Sequence, residues 1–251
     1  MGGDLLESPP DPKTRHGEAV AQMFGAIAPT YDLLNHLLSF NVDRRWRRLA
    51  VKALDPRPNG SYLDLCTGTG DLAMAILRGG AEKVTGADFS GPMLSIARRK
   101  AESLGGRLLL TRADALAMPF PDGTFDGLTV AFGVRNFEDL DRGLTEMARV
   151  LKPGGRVVVL EFSTPRNPLV RAVYHLYFHH VLPAIGRLLS RRRGAYRYLP
   201  DTVRDFPDRE AMALRMRSSG FVVSRQRGLT FGIATLHVGE RPSGTGAVGK
   251  G

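Results

Sequence analysis

The residues best suited to hold a ligand lie in a glycine-rich turn that follows an apolar run. Residues 64–71 read DLCTGTGD, and Gly68 and Gly70 let the backbone turn tightly and approach a ligand closely. We therefore predict that Gly68, Thr69 and Gly70 bind a nucleotide-containing cofactor. The spacing Gly68-x-Gly70-x-x-Ala73 also matches a dinucleotide fingerprint with Ala in third place, so a nicotinamide-dependent dehydrogenase is an alternative at this point.

Acidic residues end the next two apolar runs. Asp88 comes 18 residues after Gly70, and a carboxylate at a strand tip can accept hydrogen bonds from both hydroxyls of a ribose. This position serves NAD and S-adenosylmethionine equally, and Asp88 can also cap the helix that follows. Asp114 and Ala115 close the third run, where a side-chain oxygen can accept a hydrogen bond from the adenine amino group. The sequence thus predicts three strand ends around one cofactor.

Apolar runs of strand length alternate with helical patterns from residue 61 onward. The predicted strands are Tyr62–Cys66, Val84–Ala87, Leu108–Thr111, Phe125–Phe132, Val157–Phe162, Phe221–Arg227 and Ile233–Val238. The predicted helices are Asp71–Arg78, Pro92–Leu104, Asp139–Leu151 and Pro207–Ser219. Strict alternation requires crossover connections, so we expect an α/β fold with a seven-stranded, mostly parallel sheet and helices on both faces. A short turn around Gly228 can only close a hairpin, so the last strand must run antiparallel.

Two segments lie outside this alternation. Residues 17–54 carry helical spacing with breaks near Pro29 and Asn41, and we expect an N-terminal helical cap. We expect residues 164–200 to form a helical insertion. We expect one domain over residues 17–240 that includes both segments, a disordered arm over 1–16 and a disordered tail over 241–251.

Composition narrows the class of protein. The chain has 251 residues, of which 43% are hydrophobic and 24% charged, and this excludes a wholly disordered or multi-span membrane protein. The net charge is +10, and residues 162–200 hold seven arginines and no acid. The single cysteine, Cys66, fits a reducing, cytoplasmic setting, and no segment has the pattern of a signal peptide or a membrane span.

Further motifs resemble a known class of enzyme and one family within it. Residues 149–156, RVLKPGGR, end a helix and start a strand in a Pro-Gly-Gly turn. With this turn the chain resembles the class I S-adenosylmethionine-dependent methyltransferases, which have a Rossmann-like sheet that ends in an antiparallel hairpin. Residues 31–39 (YDLLNHLLS) and 149–163 (RVLKPGGRVVVLEFS) resemble the two signatures of the ubiquinone/menaquinone biosynthesis C-methyltransferases. Residues 132–136 and 196–200 also fit that family.

The chain departs from the family's pattern at four positions. Leu34 and Asp43 stand where the first signature usually has Met and His. Ala131 replaces a Ser associated with the cofactor site, and Thr202 replaces a Ser after Tyr-Leu-Pro-x. The second signature is intact, so these changes concern local contacts and subfamily.

The resemblance implies methyl transfer from S-adenosylmethionine to a ring carbon of a reduced polyprenyl quinone. The acceptor would be a demethylmenaquinol, with a benzoquinol precursor of ubiquinone also open. A ring carbon becomes nucleophilic when a neighbouring hydroxyl loses its proton, so the site needs a proton acceptor or a group that stabilises a phenolate. We predict that Arg135 and Tyr31 are the catalytic residues. The alternatives are an ion pair of Arg135 with Glu138 or Asp139, and a core position for Tyr31.

The sequence also bears on whether the protein binds nucleic acid, a metal, a membrane or a second copy of itself. The chain lacks an Asn/Asp-Pro-Pro-aromatic motif and a Pro-Cys nucleophile, so we expect no nucleic-acid substrate despite the charge. We expect no metal, because His175 and His179 share a helical face without a nearby Cys or acid. The 164–200 insertion is either a surface helix pair or a lid that rests on anionic membrane at the inner face of the cell membrane. A homodimer stays open, and a methyltransferase for another lipid or small molecule is the alternative function.

Overall fold

The structure, a computed structural model, describes residues 20, 22–28, 32, 39, 41–177 and 202–243. Three sets of predictions fall outside these residues. They concern the arm over 1–16, the insertion from 178 to 200 with most of its arginines, and the tail from 244 onward. Tyr31 and Pro29 also lie outside them.

The helices and strands follow the alternation that the sequence predicts. The helices are α1 (Val42–Leu54), α2 (Asp71–Arg78), α3 (Gly91–Ala101), α4 (Leu140–Val150), α5 (Pro168–Leu176) and α6 (Arg209–Ser218). The strands are β1 (Ser61–Leu65), β2 (Lys83–Asp88), β3 (Leu108–Arg112), β4 (Phe125–Ala131), β5 (Leu151–Phe162), β6 (Val222–Leu229) and β7 (Ala234–Glu240). Short 3-10 turns lie at Glu102–Leu104, Val134–Asn136 and Thr230–Gly232.

These seven strands form one sheet in the order β3-β2-β1-β4-β5-β7-β6. Strands β1 to β5 pair in parallel, and β7 runs antiparallel to both β5 and β6. The predicted α/β fold with an antiparallel last strand is therefore confirmed. The strand order reverses between β1 and β4, so the carboxyl ends of these two strands open the crevice in which such sheets bind ligands.

The core consists of two apolar layers, one on each face of the sheet. Along β5, Val158 and Leu160 point into one layer, and Val157 and Val159 point into the other. All four are fully buried. A strand covered on both faces has a continuous apolar run and not an alternating one, which is why residues 157–160 read VVVL. Helices α1 and α2 cover the first face, while α4 and α6 cover the second.

Strand β5 begins six residues earlier than the predicted Val157, at Leu151. Leu151 pairs with Phe125 of β4, and the register shifts before the next pairs form. The Pro-Gly-Gly segment between them is a bulge that still pairs with the chain after β7, since the amide of Gly154 donates to the carbonyl of Arg241 (N to O, 2.7 Å). The sequence suggested a turn at these residues, but long-range pairing makes them part of the strand.

Two other predicted boundaries were wrong. Gly228 is not at the hairpin turn: it lies within β6 opposite Thr235, and the turn is Thr230–Gly232. The α-helix predicted to reach Leu104 ends at Ala101, where the chain tightens into a 3-10 turn.

The described part of the N-terminal cap packs over the carboxyl edge of the sheet. Residues 22–28 are helical, and α1 begins after Asn41, whose φ of 60° marks the predicted break. A Cβ on Gly25 would lie 3.1 Å from Cγ of Pro92, so glycine lets the cap approach the start of α3. Asp43, the departure from the family's His, is buried in α1 and accepts hydrogen bonds from Ser39 and Arg47. Within the described residues, no helix combines the length and apolarity needed to cross a bilayer.

Candidate active site

The glycine-rich turn follows β1 directly, and its backbone makes room for a ligand. Gly68 has a φ of 57°, and a Cβ placed there would have no atom within 4 Å, so its outer side is open. Gly70 has a φ of 85°, and its Cβ would lie 3.3 Å from Cβ of Ala97 in α3. Gly68 therefore offers a surface for close approach by a ligand, whereas Gly70 serves the packing of α3 against the turn.

Asp88 joins the end of β2 to this turn. One carboxylate oxygen accepts a hydrogen bond from the amide of Gly68 and the other from the amide of Ser90, both at 2.8 Å from N to O. Burial raises the pKa of Asp88, and these two hydrogen bonds act in the opposite direction. Ser90, not Asp88, occupies the N-cap position of α3, so the alternative capping role is not observed.

A cavity of about 260 Å³ lies over the carboxyl ends of β1, β2, β3 and β4. Gly68, Asp88, Asp114 and Ala115, four of the predicted cofactor residues, line it together. Apolar walls come from residues that the predicted site does not include: Val20, Phe24, Phe89, Met93, Leu116, Phe132 and Phe137. The carboxylate of Asp114 is fixed by its own turn, since it accepts a hydrogen bond from the amide of Leu116 at 2.8 Å.

Thr69 is not among the described residues that line the cavity. Its hydroxyl donates to Oδ1 of Asp32 in the cap (2.6 Å), and Oδ2 of Asp32 accepts from Nζ of Lys100 on α3 (2.9 Å). Lys100 also pairs with Asp71, the first residue of α2. A polar network thus connects the cap to the glycine-rich turn and to α3, and the Thr69 side chain is part of this network.

Strand β4 ends in a strained turn that faces the cavity. Phe132 has a φ of 58°, which is rare for a bulky residue and typical of functional sites. Phe132 lines the cavity, and its ring lies 4.5 Å from the ring of Phe162 and 6.1 Å from that of Trp46, measured between centroids. The 3-10 turn Val134–Asn136 follows, and Asn136 also lines the cavity.

Arg135 lies in this turn, but its side chain points to a buried partner. Its Nη1 is 2.8 Å from Oε1 of Glu161 at the end of β5, and both side chains are almost fully buried. The same nitrogen donates to the carbonyl of Phe132, and the guanidinium lies 5.6 Å over the ring of Phe162. Burial raises the pKa of Glu161, and the charge of Arg135 opposes that rise. The alternative that the sequence offered for Arg135 was an ion pair with Glu138 or Asp139; the observed partner is Glu161, and the side chain of Asp139 caps α4.

Cys66 lines the cavity, and its surroundings disfavour the thiolate that a nucleophile requires. Its φ is 54°, and a Cβ on Gly133 would come within 2.8 Å of its sulfur. Burial is the main cause of the raised pKa of its thiol, and the nearby carboxylates of Asp88 and Asp64 raise it further. These surroundings favour the protonated thiol over the reactive thiolate. Over the described parts of the chain, no group of three or more His, Cys, Asp or Glu side chains could hold a metal ion.

The arrangement fits an adenosine-bearing ligand with a short polar arm. Asp88 and Asp114 follow neighbouring strands and present carboxylates that can accept hydrogen bonds from a ribose and a base, and Leu116 and Met93 line the same cavity with apolar side chains. The polar arm of such a ligand would extend to the open side of Gly68, between the ends of β1 and β4. The acidic strand ends and the glycine turn have sequence signals, whereas Phe132, Asn136 and Glu161 carried none beyond their place inside motifs.

The fold and this site together define a class I S-adenosylmethionine-dependent methyltransferase. Solved structures with this fold include a methyltransferase of Thermotoga maritima (TM-score 0.61, 20% identity, 88% of this chain and 98% of that one). Another is a methyltransferase of Aquifex aeolicus (TM-score 0.57, 16% identity, 78% and 89%). Identities this low establish the fold alone.

The chain belongs to the ubiE/COQ5 methyltransferase family, whose model matches residues 13–241. It is 55% identical over 222 residues to the demethylmenaquinone methyltransferase of Thermus thermophilus, which covers 88% of this chain and 100% of that protein. It is 51% identical over 232 residues to the ubiquinone/menaquinone biosynthesis C-methyltransferase UbiE of Geobacter sulfurreducens (91% and 90%). S-adenosylmethionine is accordingly the methyl donor, and the dehydrogenase alternative is excluded.

Proposed function

We propose that this protein methylates a ring carbon of a demethylmenaquinol in the biosynthesis of a respiratory quinone. The observation that carries the proposal is identity of 55% along the whole length of a demethylmenaquinone methyltransferase, in a chain that keeps an open donor cavity. The name of the Geobacter sulfurreducens relative covers both quinone types, so a benzoquinol precursor is the second acceptor to test.

Binding of the donor is assigned to the residues around the cavity. S-adenosylmethionine supplies, when bound, an electrophilic methyl group on its sulfonium. Asp88 is the hydrogen-bond acceptor for the ribose, and Asp114 with Ala115 is the contact for the adenine. Val20, Phe24 and Phe132 exclude water from the cavity, which strengthens the polar contacts inside it.

Stabilisation of the phenolate that forms when a bound water takes the proton of the acceptor hydroxyl is assigned to the end of β4. Arg135 stabilises the resulting phenolate or polarises a water molecule beside it, and Tyr31 hydrogen-bonds to the same oxygen. Arg135 is paired with Glu161 and is not among the described residues that line the cavity, so this role requires the bound acceptor to bring the phenolate to the turn. Arg135→Ala should reduce turnover far more than cofactor affinity, and equal losses in both would contradict the role.

An exposed apolar stripe on α5 supports contact with a membrane. Leu169, Val173 and Leu176 share one face of the helix and are 75%, 61% and 61% exposed. A polyprenyl acceptor is collected from a lipid surface, and such a stripe would enter its interface. The protein would then be cytoplasmic and peripheral at the inner face of the membrane. The fraction of protein that sediments with anionic vesicles should be smaller for the double variant Leu169→Ser with Val173→Ser than for the wild type. Equal binding of the two proteins would contradict membrane contact through this stripe. Light scattering tests whether the protein forms a homodimer, which the sequence leaves open.

The acceptor is tested by offering purified protein and methyl-labelled S-adenosylmethionine to short-chain demethylmenaquinol and to a demethylated benzoquinol, both chemically reduced. Mass spectrometry then locates the new methyl group. Ring methylation of the naphthoquinol is the expected result. If S-adenosylmethionine binds and neither quinol is methylated, the acceptor assignment is wrong and another lipid or small-molecule acceptor takes its place.

A further inference from the structure

The direction of the donor across the sheet determines where the methyl acceptor must lie. The residues assigned to the base and the ribose are Asp114, which follows β3, and Asp88, which ends β2, while the glycine turn follows β1. The strand order continues with β4 and then β5. The reactive end of the donor therefore faces the carboxyl ends of β4 and β5, and the residues there surround the acceptor ring.

At this place one buried chain of contacts runs from β5 to the cavity wall. The carboxylate of Glu161 accepts from the guanidinium of Arg135 (2.8 Å), from the backbone amide of Arg135 (3.3 Å) and from the amide of Phe162 (2.8 Å). Arg135 in turn donates to the carbonyl of Phe132. Glu161 thus contacts both the side chain and the backbone of the turn whose two ends, Phe132 and Asn136, line the cavity.

The buried pair of Arg135 and Glu161 and the turn beside it are not what stability by itself would favour. Both charges are withdrawn from water, and a buried ion pair is often no more stable than apolar residues of the same volume. Phe132 is also held in a left-handed conformation that an aromatic residue adopts only when its surroundings enforce it. Strain and buried charge at one turn that faces a reaction site indicate a functional constraint on that turn.

We propose that Glu161 is a positioning residue for methyl transfer, because its pairing with Arg135 holds the Phe132–Asn136 turn in the shape that receives the acceptor ring. The proposal rests on the methyl transfer described above. Glu161 itself is fully buried and does not line the cavity, so it acts through Arg135 and not on the acceptor.

The first test substitutes Glu161→Gln, which keeps the size of the side chain and removes its charge. We expect kcat to fall by about 100-fold, because displacement of a positioning turn is enough for such a loss, while the Kd for S-adenosylmethionine changes by less than about twofold. Asp126→Asn is the matched control: it neutralises a strand carboxylate paired with Lys152 at the opposite end of β4, and its kcat should equal that of the wild type. An unchanged kcat in Glu161→Gln would overturn the proposal.

A double-variant cycle shows whether Glu161 acts through Arg135. Because Arg135→Gln/Glu161→Gln removes both buried charges, it should fold even if one single variant melts early, and melting temperatures of all variants are recorded. We expect the double variant to have the kcat of Arg135→Gln alone. Losses that multiply would mean that Glu161 acts independently of Arg135, and the proposal would be wrong.

Emission from Trp46 gives a readout that needs no substrate. Trp46 is the only tryptophan of the chain and packs against Phe132 and Phe162, with ring centroids 6.1 and 6.0 Å away. Glu161→Gln should shift its emission, and Asp126→Asn should not. If the wild type methylates neither quinol, the acceptor assignment fails, and the emission of Trp46 tests the role of Glu161 separately. A shifted spectrum in Glu161→Gln then supports the positioning of the turn, and an unchanged spectrum overturns it.

Discussion

At the scale of single residues, Asp88 connects recognition of the donor with the shape of its binding turn. Its carboxylate already accepts hydrogen bonds from the amides of Gly68 and Ser90, and each oxygen retains a second lone pair for a ribose hydroxyl. Asp88→Asn keeps the shape but removes the charge and puts a donor where one acceptor was. We expect the Kd for S-adenosylmethionine to rise about 10- to 100-fold, since hydrogen bonds to charged groups contribute about 1.5–3 kcal/mol.

Calorimetric titration measures this loss. Asp122→Asn is a suitable control, because Asp122 is an exposed carboxylate that pairs with Arg149 away from the cavity. The control should bind the donor as the wild type does. Equal affinity of Asp88→Asn and the wild type would mean that Asp88 only shapes the turn.

At the scale of secondary structure elements, the cap is held over the donor cavity by a few partly exposed charges. Lys100 of α3 contacts Asp32 of the cap, Thr69 of the turn and Asp71 of α2. Val20 and Phe24 of the cap line the cavity, so loosening the cap uncovers the donor. Lys100→Met should therefore speed dissociation of S-adenosylmethionine by about three- to tenfold, because pairs of this exposure contribute about 1 kcal/mol.

Stopped-flow displacement measures the dissociation rate. Arg99→Met, an exposed neighbour on the same helix, is the matched control and should leave the rate unchanged. The effect of Lys100→Met should shrink at high salt, since screening weakens the same contacts in the wild type. Identical rates for both variants at low salt would show that the network does not hold the cap.

The elements themselves were predictable because their signals are local. A run such as VVVL at 157–160 is buried on both faces of a parallel sheet, and a glycine-rich turn after such a run marks the ligand edge. Pairings between distant residues were not predictable. The Thr69 hydroxyl contacts Asp32, 37 positions away, and Arg135 pairs with Glu161, 26 positions away. Nothing near either residue in sequence indicates these partners, so the sequence predicted neither the contact of Thr69 with Asp32 nor the pair of Arg135 with Glu161.

At the scale of the whole molecule, stability depends on polar groups buried within the sheet. Asp64 in β1 accepts hydrogen bonds from the hydroxyls of Thr67 and Thr129, and burial raises its pKa to about 6. A carboxyl group with a raised pKa binds a proton more readily in the folded state, so its contribution to the free energy of unfolding decreases as the pH rises from about 4 to 6.

His237 acts in the opposite direction. It lies fully buried on β7, its Nε2 is 2.9 Å from the carbonyl oxygen of Arg209, and burial lowers its pKa below 6.5. The unfolded chain takes up a proton near pH 6.5 and the folded chain only at lower pH. The stability that the neutral imidazole provides is therefore complete above that pH and is lost as the pH falls toward the pKa of the folded state.

His237→Gln isolates this contribution, because the amide of glutamine can still donate to the carbonyl of Arg209 and does not titrate. Urea unfolding at pH 7.5, 6.5 and 5.5 should show a free energy of unfolding that decreases less with acidification in the variant than in the wild type. The difference can reach about 1.4 kcal/mol per pH unit. His175→Gln, on the exposed side of α5, should follow the wild type. Since Asp64 is present in every variant, parallel curves for the wild type and His237→Gln would mean that His237 titrates alike in both states.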